Sequence, residues 1–460
     1  MAGEWRQVTF ADVIELISGG TPKTSNHEYW GGVIPWLSIA DFNTGYRWVS
    51  TAEKTITERG LSESATTILR QGDIIISARG TVGVVAQLTR QMAFNQSCYG
   101  IRGKHGIAET NFIYYALRYA MVQMQQVAHG GVFNTITRDT FKIITTKLPP
   151  LQEQRAIAHI LGTLDDKIEL NRRMSKTLEE MARAIFKSWF VDFDPVRANM
   201  ERKNSTQGRQ DARSQSGEET LSSLASSRLC GFALNPEIAA LFPDSFEDSE
   251  LGKIPRGWKV GNIQECCIQI QNGGTPRRNE SRFWNESNIP WLTSGEVRQS
   301  IIIETERFIT LEGLKESSAK WIPVASTVIA LYGATAGKVS FLACPLTTNQ
   351  AVCALIPKKS YALFNYLTMS CATLKLENKA IGSAQQNISK QIVVETKLVL
   401  PPISLIERFE GIVGPFFDKW ILNLHQSHTL AVLRDGLLPK LISGELCVKD
   451  AERIEEEIEL

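Results

Sequence analysis

Two hydrophobic patterns alternate along the chain, and each is used twice. Short β-branched runs bounded by Gly-rich turns, such as Asp73 to Ser77 and Thr327 to Leu331, predict strands. After Leu148-Pro149-Pro150 the period changes. From Ile157 a 4-3-4-3 spacing picks out Leu161, Leu164, Ile168, Asn171, Ser175, Leu178, Ala182, Ile185 and Trp189, which is the seam of a coiled-coil helix. After Leu400-Pro401-Pro402 the same spacing returns in Val413, Phe416, Trp420, Asn423, Ser427, Leu430, Arg434, Leu437 and Leu441. Each Pro-Pro pair reads as a helix start. Gly162 and Gly414, the latter followed by Pro415, are expected to break the two helices near their beginnings.

The two patterns belong to one internal repeat. Gly19-Gly20-Thr21-Pro22 returns as Gly273-Gly274-Thr275-Pro276, and Trp30 with Ile34 to Leu37 returns as Trp284 with Ile289 to Leu292, an offset of about 254. Gly80 and Gly333, Asn95-Gln96 and Asn349-Gln350, and the two Leu-Pro-Pro triplets keep the same order. The layout is therefore a strand-rich domain at residues 1–150, a helical region at 151–195, a linker at 196–250, a second strand-rich domain at 251–402, a second helical region at 403–445 and an acidic tail at 446–460. The linker is expected to be irregular because residues 199–230 are polar, Ser-rich and nearly free of large apolar groups. The fold class is α+β. Asn171, Ser175, Asn423 and Ser427 occupy the same two seam positions in the two copies. A buried seam Asn sacrifices stability to fix register, so Asn171 and Asn423 are expected to pair, with the two copies facing each other in a pseudo-two-fold arrangement.

Composition narrows the class without choosing a function. With 460 residues there is room for two or three cores, and 43% hydrophobic with 22% charged residues fits a globular protein. No apolar run approaches the roughly 18 residues of a membrane span, and the N-terminus lacks a secretory pattern, so a cytoplasmic protein is expected. The eight cysteines are scattered without a Cys-x-x-Cys pair, which argues against zinc or a disulfide framework. Lys plus Arg number 50 and Asp plus Glu 49, so any basic surface must be local.

Catalytic patterns are missing. Adenine methylation needs an Asp/Asn-Pro-Pro-aromatic loop, but both Pro-Pro pairs here follow Leu and precede Leu151 or Ile403. The run Gly333 to Ser340 is one residue short of a phosphate-binding loop, and its counterpart at Gly80 has no Lys. Pro243-Asp244 and Glu377 to Lys379 are too far apart in sequence to suggest a nuclease centre, and His425 with His428 lacks a third metal ligand. No catalytic residue and no metal site is assigned.

What remains suits binding: cations, amides and hydroxyls near Gly-rich turns are the groups that contact phosphates and base edges. The candidates are Lys23, Arg47, Arg79, Thr81 and Asn134 in the first domain, and Arg277, Arg278, Arg298, Tyr332, Lys338, Gln386 and Asn387 in the second. The repeated Trp residues read as core, and the repeated Asn-Gln pairs as amides bonded to backbone.

The chain resembles the specificity subunit of type I restriction–modification systems. The resemblance spans nearly its whole length and is carried by Leu148 to Arg155, Leu164 to Arg173, Phe186 to Pro195 and Ala239 to Phe246. It implies two target recognition domains, each reading one half of a split double-stranded DNA sequence, and two helical regions paired as an antiparallel coiled coil. It also implies partners: modification subunits, two of them, that methylate adenine with S-adenosylmethionine, and restriction subunits that use ATP and Mg for translocation and cleavage. No cofactor is expected on this chain. The second copy departs at Ile403 to Arg408, where the first has Leu151 to Arg155. From Thr163 to Phe190 about 27 helical residues would span roughly 40 Å, close to one DNA turn, so the helices are expected to act as a ruler between half-sites. The competing readings are a self-contained methyltransferase or nuclease, an adaptor whose strand domains bind no DNA, and a subunit of a related system that lacks cleavage.

Overall fold

The computed structural model describes residues 5–127, 135–211, 236–381 and 387–451. They form two compact units: Met1–Arg173 with Gln426–Leu460, and Met174–His425. The boundaries fall inside the long helices rather than at the Leu-Pro-Pro triplets, so each unit comprises one strand-rich domain and half of each helix. No helix among the described residues is long and apolar enough to cross a membrane.

In the first unit a five-stranded sheet runs, in spatial order, Ile14–Ser18, Cys98–Gly103, Ile74–Ser77, Val85–Leu88, Trp48–Val49. The last pair is parallel and the others antiparallel. Ile75 faces a core shared with a second, four-stranded sheet that includes Trp30–Leu37 and Met92–Phe94. Ile74 and Ile76 face the other way, toward helix α1 (Thr110–Val127) and the long helices. Burial on both faces is why this strand reads as an unbroken apolar run.

The second unit repeats this topology. Its five-stranded sheet runs Cys267–Asn272, Val352–Pro357, Thr327–Ala330, Val339–Leu342, Ile301–Ile302, again with only the last pair parallel. A single bridge, Ile322 to Leu346, stands where the first unit has the Ile68–Leu69 strand. In both domains an early strand pairs with the last one, Arg6 opposite Leu148 and Lys259 opposite Leu400, so each domain closes at its Leu-Pro-Pro.

The repeated glycines and tryptophans belong to this scaffold. A Cβ on Gly20 would lie 2.4 Å from the Ala65 carbonyl carbon, and one on Gly274 would lie 2.4 Å from that of Ser318. Trp36 and Trp291 are buried and donate Nε1–H to Gly20 and Gly274 carbonyls at 3.0 Å in each case. Edge-to-face partners complete each pair: Trp30 and Trp284 lie 5.1 Å from Trp36 and Trp291.

Helix α2 (Leu151–Phe190) starts directly after Pro150, and the C-terminal helix (Ile403–Ser443) directly after Pro402. Neither breaks. Helix α2 passes through Gly162, and the C-terminal helix passes through Gly414 and Pro415, contrary to the expected interruptions. The glycine at 162 serves packing instead: a Cβ there would come within 2.9 Å of the Arg47 guanidinium.

A second departure concerns the linker. Helix α3 (Asp194–Asp211) occupies part of it, and Phe246–Ser249 pairs with Gly252–Pro255. Asn199 Nδ2 donates to the Ala239 and Phe242 carbonyls, and Lys203 pairs with Asp244 at 2.6 Å, tying the polar helix down. Residues 212–235 of the expected linker lie outside the described residues. In the second domain, helix α4 (Ala362–Ile381) takes the place of α1, and we refer to Ile403–Ser443 as α5.

Within each unit α2 and α5 pack antiparallel. In the first, Ile157, Leu161, Leu164 and Ile168 meet Leu430, Leu437 and Leu441. In the second, Ala182, Phe186 and Trp189 meet Phe409, Val413 and Trp420. Asn171 Nδ2 donates to Gln426 Oε1 at 3.0 Å, and Asn423 Nδ2 to Ser175 Oγ at 3.5 Å. Ser427 is half-buried on α5.

Candidate nucleic-acid interface

Antiparallel pairing brings together the ends of Ile14–Ser18 and Ile74–Ser77 with the beginnings of Val85–Leu88 and Cys98–Gly103. The Gly19-Gly20 loop, the glycine turn after Ser77 and the Asn95-Gln96 turn therefore share one end of the sheet. Left-handed Gly80 (φ 76) and Gly83 (φ 85) shape the middle turn, and Ser77 Oγ donates to the Thr81 carbonyl. Helix α1 runs from the long helices toward this end, where Met121 lies 3.4 Å from a Cβ built on Gly83. Beyond it the chain returns to the same turn, with Ile136 N–H donating to Ala78 O at 2.9 Å.

The second domain builds the same end. Gly333 (φ 80) and Gly337 (φ 87) shape its turn, Ile388 N–H donates to Leu331 O at 2.8 Å, and Tyr332 bridges to Asn387. Thr335 Oγ1 donates to Ser294 O at 2.7 Å, which brings in the short turn preceding Arg298.

Most sequence candidates fall here. Lys23, Arg79 and Thr81 are exposed on the first domain, and Arg277, Arg278, Arg298, Tyr332 and Lys338 on the second; Asn387 is half-buried. Lys23 and Arg277 are structural equivalents: their carbonyls accept Nε1–H of Trp30 at 3.4 Å and of Trp284 at 3.1 Å. Asn134 and Gln386 lie outside the described residues. The repeated Asn95 and Asn349 accept from backbone N–H groups two residues on, each at 3.1 Å, so they shape turns. Arg138 also belongs to the cluster, donating to Ser18 Oγ at 2.8 Å. Its sequence gave no sign, because it precedes a helical turn rather than a glycine.

Arg47 does not belong. It sits at the other end of the sheet, 5% exposed, bonded to Gln87, Tyr115 and Asn111 and stacked 4.4 Å from the Trp48 ring. A buried guanidinium with every face occupied is a packing element, not a surface contact. Tyr115 in turn donates to Asp165 at 2.7 Å, and Arg434 donates to the same carboxylate at 2.5 Å.

The helix-facing end also explains the sequence departure after the second Leu-Pro-Pro. Gln154, 1% exposed, accepts from Glu109 N–H and donates to the Ile107 and Pro149 carbonyls, fixing the entry to α1. Its counterpart is the apolar Ile406, and the task passes to Glu410, whose Oε1 accepts both Leu363 and Phe364 N–H at 2.8 Å. Burial pushes the Glu410 carboxyl up to about 7, against the lowering effect of those two N–H groups.

Two domains of one topology each offer cations and hydroxyls on glycine-shaped loops, while the opposite end of each packs on the long helices, which is the layout of a binding protein. The chain belongs to the type I restriction–modification DNA specificity family, whose sequence profile, described as the type I restriction modification DNA specificity domain, matches residues 2–180 and 255–405. It is 27% identical over 466 residues to the MjaIX specificity subunit of Methanocaldococcus jannaschii, covering 97% of this chain and 94% of that one. It is 30% identical over 336 residues to the HindI specificity subunit of Haemophilus influenzae, covering 69% and 72%. The crystal structure of a type I S subunit from M. genitalium shares the fold, with TM-score 0.54, 15% identity and coverage of 95% and 96%. This chain is thus a specificity subunit with DNA-recognition domains.

Proposed function

We propose that residues 1–150 and 251–402 each read one half of a bipartite double-stranded DNA target through the glycine-turn ends described above. The observation that carries this reading is the equivalence of the two loop clusters: the same backbone holds Lys23 and Arg277 in matching places, while the surrounding side chains differ. Matching backbone with unlike side chains suits two heads that read unlike sequences. In this reading the paired helices set the spacer by their length and dock two modification subunits. S-adenosylmethionine belongs to those subunits, ATP and Mg belong to restriction subunits, and this chain contributes recognition without catalysis.

The test replaces residues 1–150 with the first domain of another family member, in cells that supply the modification subunits. Methylated adenines across the host genome are then mapped. One half-site is expected to change, with the other half and the spacer kept. A change in both halves would refute independent reading.

A further inference from the structure

The two domains rest on the helix pair through chemically opposite seats. In the first, Arg47 Nε donates to Gln87 Oε1 at 2.6 Å, and its other nitrogens reach Tyr115 and Asn111 at 3.2 Å. Tyr115 links this group to Asp165 on α2, and Arg434 on α5 closes the chain of contacts. Asp165 and Arg434 have side chains only 2% and 7% exposed, so both charges depend on one another and on the domain above them.

Backbone pairing identifies the equivalents in the second unit. Gln87 N–H donates to Arg47 O, as Phe341 N–H donates to Ser300 O, so Ser300 and Phe341 stand for Arg47 and Gln87. The repeat offset of about 252 then sets Leu363 and Leu367 for Asn111 and Tyr115, Phe417 for Asp165, and Ala182 for Arg434. All six are apolar except Ser300, which donates to Glu179 at 3.1 Å. Phe417 lies 5.4 Å from Phe341 and 5.6 Å from Tyr366, ring centre to ring centre, and Ala182 is fully buried.

We infer that the seats are keyed: Arg47 is a positioning residue that seats the first domain on Asp165 and Arg434, and neither seat accepts the other's domain. A domain bearing Phe341 and Leu367 would leave Asp165 and Arg434 buried without Tyr115 or the Arg47 charge. A domain bearing Tyr115 would bury its hydroxyl against Phe417, which offers no acceptor in place of Asp165. This rests on the proposal that each domain reads one half-target.

The test uses the full chain with its modification subunits. In one chimera residues 251–402 also replace residues 1–150, duplicating the second domain. In another the same duplication carries Asp165→Phe and Arg434→Ala. Soluble complex is quantified, and methylated adenines are mapped. The expected result is that the helix substitutions raise soluble complex and methylation by about tenfold or more, at sites carrying the second half-target twice. Equal yields from the two chimeras, whether both high or both absent, would overturn the keyed seats. Methylation at sites lacking the duplicated half-target would instead overturn the reading of halves. As a reciprocal check, Asp165→Phe with Arg434→Ala in the natural chain is expected to lower yield, because Arg47 and Tyr115 then face a ring.

Discussion

Glu410→Gln is expected to stabilise the second unit at neutral and alkaline pH while leaving it unchanged in mild acid. Glu410 Oε1 accepts two backbone N–H groups at the start of α4, a task that a Gln oxygen performs equally well without charge. Burial raises the carboxyl from the usual 4.5 to about 7. A carboxyl whose folded value lies above its unfolded one binds a proton more readily in the folded state. Its contribution is therefore fully present below about pH 4.5 and is lost as pH rises through 7. At about 1.4 kcal/mol per pH unit, the loss across that window is about 3 kcal/mol. For a unit of this size it corresponds to a melting shift on the order of 6–10 °C. Thermal unfolding of the full chain from pH 4 to pH 8, with hydrogen exchange at the start of α4, reads the effect. Glu410→Gln should match the natural chain at pH 4 and exceed it at pH 8. Parallel profiles for the two proteins would refute the reasoning, because the carboxyl would then titrate alike folded and unfolded.

Other positions give independent checks. Gly20→Ala drives a Cβ to 2.4 Å from the Ala65 backbone, which cannot yield as a side chain would, so a loss of about 1–3 kcal/mol in the first unit is expected by denaturant titration. Gly411→Ala, on an open stretch of α5, should instead raise stability by about 0.5–1 kcal/mol in the same assay. Arg79→Ala, at the glycine turn of the first domain, should weaken DNA retention by the assembled complex uniformly across sequences. If its contact is a phosphate, the slope of log affinity against log salt falls by about 1; selective loss of one base preference would identify a base reader instead.

The parts of the fold that were legible in sequence are those fixed by local chemistry or by repetition. Leu-Pro-Pro marks each helix start because Pro disfavours a helical residue before it and suits the first turn after it. Seam positions such as Leu161, Leu164 and Leu441 are buried where the 4-3 spacing sets them. Position relative to the sheet was harder. Arg47 resembles Arg79 in sequence, since both lie near a turn, yet Arg79 follows the strand that ends at the glycine turn, whereas the register of Trp48–Val49, opposite Gln87 and Leu88, sets Arg47 toward the helix-facing end of the same sheet. Residues 199–230 read as a linker because they are polar, Ser-rich and nearly free of large apolar groups, yet a helix runs over Asp194–Asp211. The helix instead relies on Pro195 in its first turn and on contacts from Asn199 and Lys203 to the segment at 239–244. The breaks expected at Gly162 and Gly414 failed because a helix already held along its seam tolerates a cost of about 1 kcal/mol per glycine.

Register along the helix pair follows from polar groups rather than from the apolar seam. A leucine-rich stripe is nearly self-similar after seven residues, so hydrophobic burial alone discriminates weakly against a one-heptad slip. In the first unit such a slip would set Asp165 opposite Leu441 or Ser427 in place of Arg434. Breaking a buried ion pair while both charges stay buried costs about 3–5 kcal/mol, and Asn171 would at the same time lose Gln426. In the second unit the equivalent ion pair is replaced by Phe417 and Ala182, so there the pairing of Asn423 with Ser175 and the match of a large ring to a small methyl must hold the register. The same substitution that changes how each domain is seated thus also changes how each half of the helix pair is aligned, and mutating the seat residues on α2 or α5 should disturb both together.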